Sequence, residues 1–258
     1  MSGAPHFAKP ALPPASHPGW IKICGMTRLE DALLAAECGA HAAGFIFAPS
    51  PRRIEPEAAA AIIARLPPEV LPVGVFVNAS AAEMLAAAQR SGVRALQLHG
   101  HEPAAGMEAL SAYVLIKTLL IPPDIQMEVQ PPGGDLNPML FTNEPRQAAG
   151  NGTGEFPARD YWQWRERADA WLFEQKTGPR EAADNWRFPG DARWIYAGRL
   201  LPETVPRAIA ALHPWGVDAA SGIEARPGVK DPAKLREFIT NARAAFQAWT
   251  AAPRKATS

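Results

Sequence analysis

The stretch VGVFVNASAAEMLAAAQRSGVRALQL, residues 73–98, decides the fold. It opens on Val73 to Val77, a short run rich in β-branched residues that reads as a buried strand. From Ser80 to Ser91 alanine, methionine and leucine recur at helical spacing, and Ser80 stands where an N-cap accepts a free backbone N–H. Ala95 to Leu98 is a second apolar run. Strand, helix and strand in this order make the repeating unit of a parallel sheet.

The alternation continues on both sides. Upstream, Ile21 to Cys24 precedes a helix carrying Leu29, Ala32, Leu33 and Ala36, and Ala42 to Phe47 precedes a helix over Pro56 to Leu66. Pro56 suits a first helical turn. Downstream, a helix is expected over Glu102 to Tyr113 and a fifth strand over Val114 to Ile121. Prolines and glycines between 122 and 137 then interrupt the rhythm, so any fifth helix is short or distorted. The spacing predicts a sixth strand over Met139 to Thr142, a helix over about 160–175 and an irregular insertion over 176–191. The seventh strand is expected at Trp194 to Ala197, with a helix from Pro202 to Leu212, and the eighth at Gly216 to Ser221. Leu235, Phe238, Ile239, Ala242 and Phe246 form one face of a last helix.

Eight strand–helix units predict an α/β protein, a single-domain (β/α)8 TIM barrel with irregular insertions around the fifth and sixth helices. Residues 20–250 would form the barrel, 1–19 a flexible N-terminal arm and 251–258 a flexible tail. An open doubly wound sheet is the competitor, but no G-x-G-x-x-G follows the first strand.

Composition narrows the function. The chain has 258 residues, 26 Lys and Arg against 26 Asp and Glu, and 47% hydrophobic residues. Zero formal charge gives no electrostatic reason to expect nucleic acid or an anionic membrane as partner. Prolines interrupt every apolar run between Met1 and Pro18, so no signal peptide is read there and a cytoplasmic location is expected. The two cysteines, Cys24 and Cys38, lack metal-ligand spacing, and Cys38 reads as helix core. His99 and His101 have no third ligand nearby, so no metal is expected.

In a barrel, chemistry gathers on the loops after the strands. The strand-end candidates are Cys24, the Ser50–Arg53 turn, Asn78, Gln97 with His99, Lys117, Thr142 with Asn143, Gly198 with Arg199, and Asp218 with Ser221 and Gly222. Gln97 and His99, two apart on one strand, share a face.

Several of these sites fall within longer runs: Lys22-Ile23-Cys24-Gly25-Met26-Thr27, Gly44-Phe45-Ile46-Phe47 leading to Ser50-Pro51-Arg52, Val73 to Asn78, Leu96-Gln97-Leu98-His99-Gly100, Gly152-Thr153-Gly154, and Val217-Asp218 through Ser221-Gly222. In that order they resemble the phosphoribosylanthranilate isomerase family of tryptophan biosynthesis. The resemblance implies an Amadori rearrangement of a phosphorylated aryl-ribosylamine, without cofactor or metal. A cysteine after the first strand would be the general base, matched by Cys24. An arginine after the second strand would hold the anthranilate carboxylate, matched by Arg52. Gln97, His99 and Asp218 would line the substrate, and Gly198, Arg199, Ser221 and Gly222 the phosphate.

Two departures touch the chemistry. The resemblance implies an acidic aspartate at the end of the sixth strand, and counting along the chain puts Thr142 or Asn143 there. Neither side chain has a proton to give near neutral pH. Gly198-Arg199 stands where the resemblance implies two glycines, so Arg199 either reaches the phosphate or crowds it. A different reading follows from the acid: a catalytically impaired or repurposed paralogue that binds a phosphosugar or a protein partner. The tryptophans of the 162–187 segment, Trp162, Trp164, Trp171 and Trp186, would give such a partner its surface, or else pack against the barrel.

Overall fold

The computed structural model describes residues 8–121, 163–175 and 192–251. Eight strands close a barrel in chain order: β1 (Trp20–Cys24), β2 (Ala42–Ile46), β3 (Leu71–Phe76), β4 (Ala95–Leu98), β5 (Val114–Ile121), β6 (Ala170–Gln175), β7 (Trp194–Ala197) and β8 (Gly216–Ala219). β8 returns parallel to β1 with Lys22 opposite Asp218, so the expected (β/α)8 ring is complete and has no free edge. Around it lie helices α1 (Leu29–Cys38), α2 (Pro56–Ile63), α3 (Ala81–Ser91), α4 (Val205–Leu212) and α5 (Pro232–Ala251). α3 begins as its sequence predicts: the Ser80 hydroxyl accepts from Glu83 N–H, and the Glu83 carboxylate accepts from Ser80 N–H.

Alternation along each strand sorts the core into two layers. Trp20, Ala42, Leu71, Val73, Ala95, Val114, Ile116, Ala170, Leu172, Ile195 and Ala197 form the apolar cluster inside the ring. Ile21, Ile23, Phe45, Leu96, Leu98, Leu115, Trp171 and Phe173 pack outward with the helices. The Trp20 and Trp215 rings stack 5.2 Å apart within the inner cluster, and Leu12 of the N-terminal arm packs against it. Arm residues 8–19 are bonded to the barrel through Pro13 and Pro14, whose carbonyls accept from Arg193 Nε (2.7 Å) and Trp215 Nε1 (3.0 Å).

Two expected elements are corrected. The helix over Glu102 to Tyr113 is reduced to one 3₁₀ turn, Glu108–Leu110. Gly106 takes a left-handed φ of 84° and Glu102 turns its carboxylate back onto Gly100 N–H, so the segment is committed to loop hydrogen bonds. The sixth strand of the ring is Ala170–Gln175, inside the segment expected to be helical; the expected position, Met139–Thr142, lies outside the described residues. It fills the ring between β5 and β7. Its period is two: Ala170 and Leu172 face inward, Trp171 and Phe173 outward.

Candidate active site

A cavity of about 330 Å³ opens at the C-terminal end of the barrel, near the lower end of the range for small-molecule sites. Its walls include Cys24, Arg52, Gln97, His99, Gly198, Arg199, Asp218, Ser221 and Gly222. Nine of the ten sequence-derived site residues thus meet around one space, and Asn143 lies outside the described residues. The reason is the alternation: Cys24, Gln97 and Asp218 occupy the last inward positions of β1, β4 and β8. A smaller cavity of about 260 Å³, bounded by Leu12, Trp20, His41 and Arg94, lies at the other end.

Cys24 is buried beside Lys22, which donates to Asp218 Oδ2 at 2.8 Å. Burial pushes the Cys24 thiol above its ordinary value, while the Lys22 ammonium beside it pulls the other way. Burial also opposes the charge on Lys22, but the neighbouring Asp218 carboxylate and Cys24 outweigh it and raise that group. Gly44 makes room for this arrangement: a Cβ there would lie 2.8 Å from the Cys24 sulfur and 3.2 Å from Lys22 Cε. Asp218 Oδ1 and Gln97 Oε1 are buried and find no hydrogen-bond partner among the described residues. Both line the cavity, so both are free to accept from a ligand.

Arg52 sits on the loop after β2, held in a bidentate pair with Glu224 (Nε to Oε1 2.8 Å, Nη2 to Oε2 2.7 Å). Glu224 also takes Lys230 Nζ at 3.0 Å, and Lys230 donates to the carbonyl of Cys24 at 2.7 Å. One ion cluster therefore fixes the guanidinium relative to the thiol's own backbone. Burial works against the Glu224 carboxylate, but Arg52 and Lys230 prevail and hold it below its ordinary range.

On the phosphate side expected from sequence, Arg199 is exposed and has a positive φ of 47°. Gly222 lies on the 3₁₀ turn Ser221–Ile223, where a Cβ would collide with the Leu200 carbonyl, so the turns after β7 and β8 meet backbone to backbone.

Sequence reasoning missed Glu174. It stands on β6, faces the cavity, and its Oε2 lies 2.8 Å from His99 Nε2. The signal was the alternation Ala170, Leu172, Glu174, a carboxylate closing an inward-facing row, hidden by reading the segment as helix. It also missed the Glu224 and Lys230 charges. Two strand-end candidates belong elsewhere. Lys117 points outward to Glu102 at 2.8 Å, and Asn78 locks the β3 and β4 loops, its Oδ1 accepting from His101 N–H at 2.7 Å.

The family described as N-(5'phosphoribosyl)anthranilate (PRA) isomerase matches residues 21–152 and 180–241. The chain belongs to that family. The N-(5'-phosphoribosyl)anthranilate isomerase of Symbiobacterium thermophilum is 38% identical over 226 residues, 87% of this chain and 98% of the relative. The crystal structure of phosphoribosyl anthranilate isomerase from Thermotoga maritima superposes with a TM-score of 0.65 at 30% identity, covering 87% of this chain and 98% of that one. A phosphoribosyl anthranilate isomerase in complex with reduced 1-(o-carboxyphenylamino)-1-deoxyribulose 5-phosphate gives 0.63 at 31% identity, with the same coverage. The resemblance implies an aspartate at the end of the sixth strand, and near the end of that strand stands Glu174, a carboxylate one methylene longer.

The tryptophan segment gives no docking surface among the described residues. Trp164 and Trp171 are buried, and Trp171 stacks on Trp194 at 5.8 Å. Trp162 and Trp186 lie outside the described residues. Among the described residues no helix is long and apolar enough to cross a membrane.

Proposed function

We propose that the protein isomerises N-(5-phosphoribosyl)anthranilate to its 1-deoxyribulose 5-phosphate product in tryptophan biosynthesis. The observation that carries this reading is a thiol and a carboxylate, Cys24 and Glu174, facing one cavity from different strands. Glu174 protonates the furanose ring oxygen. The C1–O bond breaks toward that oxygen as the anilino nitrogen forms C1=N. Cys24, as thiolate, then takes the C2 proton, and the C–H electron pair forms the C1=C2 enolamine, which ketonises. These two proton transfers reach the enolamine; ketonisation then adds a proton to C1 as the C2 hydroxyl loses its own, and the scheme needs no redox partner. Arg52 pairs with the anthranilate carboxylate, and Asp218 Oδ1 and Gln97 Oε1 accept from ribose hydroxyls. Gly198, Arg199, Ser221 and Gly222 receive the phosphate, with Arg199 adding a formal charge to the backbone donors. A base that must remain a free thiol suits the reducing cytoplasm.

The paralogue reading was argued chiefly from an absent acid, and the carboxylate of Glu174 facing the cavity supports the isomerase reading instead. The test is loss of phosphoribosylanthranilate fluorescence with purified protein. Turnover is expected, lowered about 10²- to 10⁴-fold in Cys24→Ser and in Glu174→Gln. Tight binding of the reduced product analogue without turnover would favour the paralogue.

A further inference from the structure

Arg52 reaches the cavity with a partner already on it. A short hairpin follows β8, formed by β9 (Glu224–Arg226) and β10 (Val229–Lys230), and it carries Glu224 at one end and Lys230 at the other. Glu224 occupies the Nε–Nη2 edge of the guanidinium, which leaves the Nη1–Nη2 edge for a ligand. Among the described residues Nη1 makes no hydrogen bond. The arginine stem lies across Gly25, where a Cβ would stand 2.7 Å from Arg52 Cδ, so the group is held beside Cys24. A guanidinium paired with one carboxylate has no net charge to offer a second. Lys230 changes that. Its side chain is fully buried, and its Nζ meets three acceptors: the Cys24 carbonyl at 2.7 Å, Glu224 Oε1 at 3.0 Å and the Ala220 carbonyl at 3.2 Å. An ammonium has three donors for them, whereas a neutral amine has two and a lone pair that would face an oxygen. Burial pushes Lys230 below its ordinary value, and Glu224 and Cys24 oppose that. Arg52, Glu224 and Lys230 together therefore carry one positive charge.

We infer that Lys230 is a positioning residue for substrate charge: buried behind Glu224, it gives the Arg52 site the net positive charge that selects an anthranilate carboxylate over an uncharged aryl ring. This rests on the reading of the cavity as an N-(5-phosphoribosyl)anthranilate site. Glu224 aims the guanidinium and in doing so cancels its charge, and Lys230 restores it. Neither Glu224 nor Lys230 lines the cavity, so both act through Arg52. Burial also makes the lysine effective at a distance, because a charge shielded from water and salt is screened far less than one on the surface.

The test compares two substrates that differ by one charge: the ribosylamine 5-phosphates of anthranilate and of aniline, each formed from ribose 5-phosphate and the arylamine. The ratio of their kcat/KM values cancels any loss of folded enzyme, and in the parent it should favour anthranilate. Lys230→Met brings the charge of the site to zero and should lower the ratio about tenfold, through KM for the anthranilate compound. The bonds lost at the Cys24 and Ala220 carbonyls act on both substrates alike. Adding Glu224→Gln returns the site to one positive charge. The glutamine oxygen, in place of Oε2, still accepts from Arg52 Nε (3.0 Å) and Nη2 (2.7 Å), so the double variant should regain most of the ratio. A merely structural lysine predicts the reverse, since a second lesion in one cluster does not repair its geometry. Glu224→Gln alone leaves at least one positive charge and should keep the ratio at or above the parent's. An unchanged ratio in Lys230→Met, a double variant no better than the single, or a fall in Glu224→Gln would each overturn the inference. If the parent turns over neither ribosylamine, the isomerase reading itself has failed, which is a different result.

Discussion

Lys22 and Lys117 are both fully buried, and each meets a carboxylate at 2.8 Å, Asp218 for one and Glu102 for the other. They differ in which side of the ring they face and in what their partners leave unused. Lys22 points into the barrel next to a thiol, and Asp218 Oδ1 is left without a partner among the described residues. Lys117 points outward. Glu102 there accepts from Asn78 N–H at 2.8 Å and Gly100 N–H at 3.0 Å as well as from the lysine, and Lys117 donates a second bond to the Gly100 carbonyl. The lesson concerns saturation. A buried ion pair whose hydrogen-bonding capacity is filled organises loops, whereas one that retains an open acceptor beside a cavity is ready for a ligand.

The largest effect should come from breaking the saturated pair. Lys117→Met strands the Glu102 carboxylate in an apolar layer, at a cost of about 3–5 kcal/mol. For a chain of this size that is a fall in Tm on the order of 10 °C. The kcat of the molecules that remain folded should hold, because the cavity is lined from the other face of the strands. Adding Glu102→Gln should return part of the lost stability. A Tm within a degree or two of the parent, measured by calorimetry, would mean the network does not organise these loops.

Breaking the open pair should instead be read in chemistry. Lys22→Met removes the cation that opposes the effect of burial on Cys24. With burial and Asp218 both raising the thiol and one lowering influence gone, the thiolate becomes harder to form. Alkylation of Cys24 by iodoacetamide should therefore need higher pH than in the parent, and kcat/KM near neutrality should fall about 10²-fold. An alkylation curve displaced to lower pH would reverse the assigned role of Lys22.

This same alternation explains what could be read from residues and what could not. The strands from Trp20 to Leu98 follow one another at regular spacing, each bounded by a clear helix or turn, so period put Cys24, the Ser50–Arg53 turn, Gln97 and His99 among the strand-end candidates, and the resemblance gave them roles. β6 failed because its inward row is only Ala170, Leu172 and Glu174, set behind a charged segment that imitates a helix. The seat of the acid was misplaced with it. The faces of Lys22 and Lys117 were readable by counting along β1 and β5. Their partners were not, since Asp218 is 196 residues away and the bond exists only when the ring closes.

The smallest predicted effect sharpens the outer half of the comparison. Trp164 is buried against the saturated pair, its Nε1 donating to the Glu102 carbonyl at 2.9 Å and its ring 6.0 Å from Lys117 Nζ. At that distance the ring contributes little attraction to the cation, so the hydrogen bond and the filled volume carry its role. Trp164→Phe should cost about 1–2 kcal/mol, from one unpaired carbonyl and a modest void. Activity should be unchanged, and the fluorescence lost should be the fraction least accessible to iodide. Were Trp164 instead part of a partner surface, the emission removed by the substitution would be the readily quenched fraction, and stability would not move.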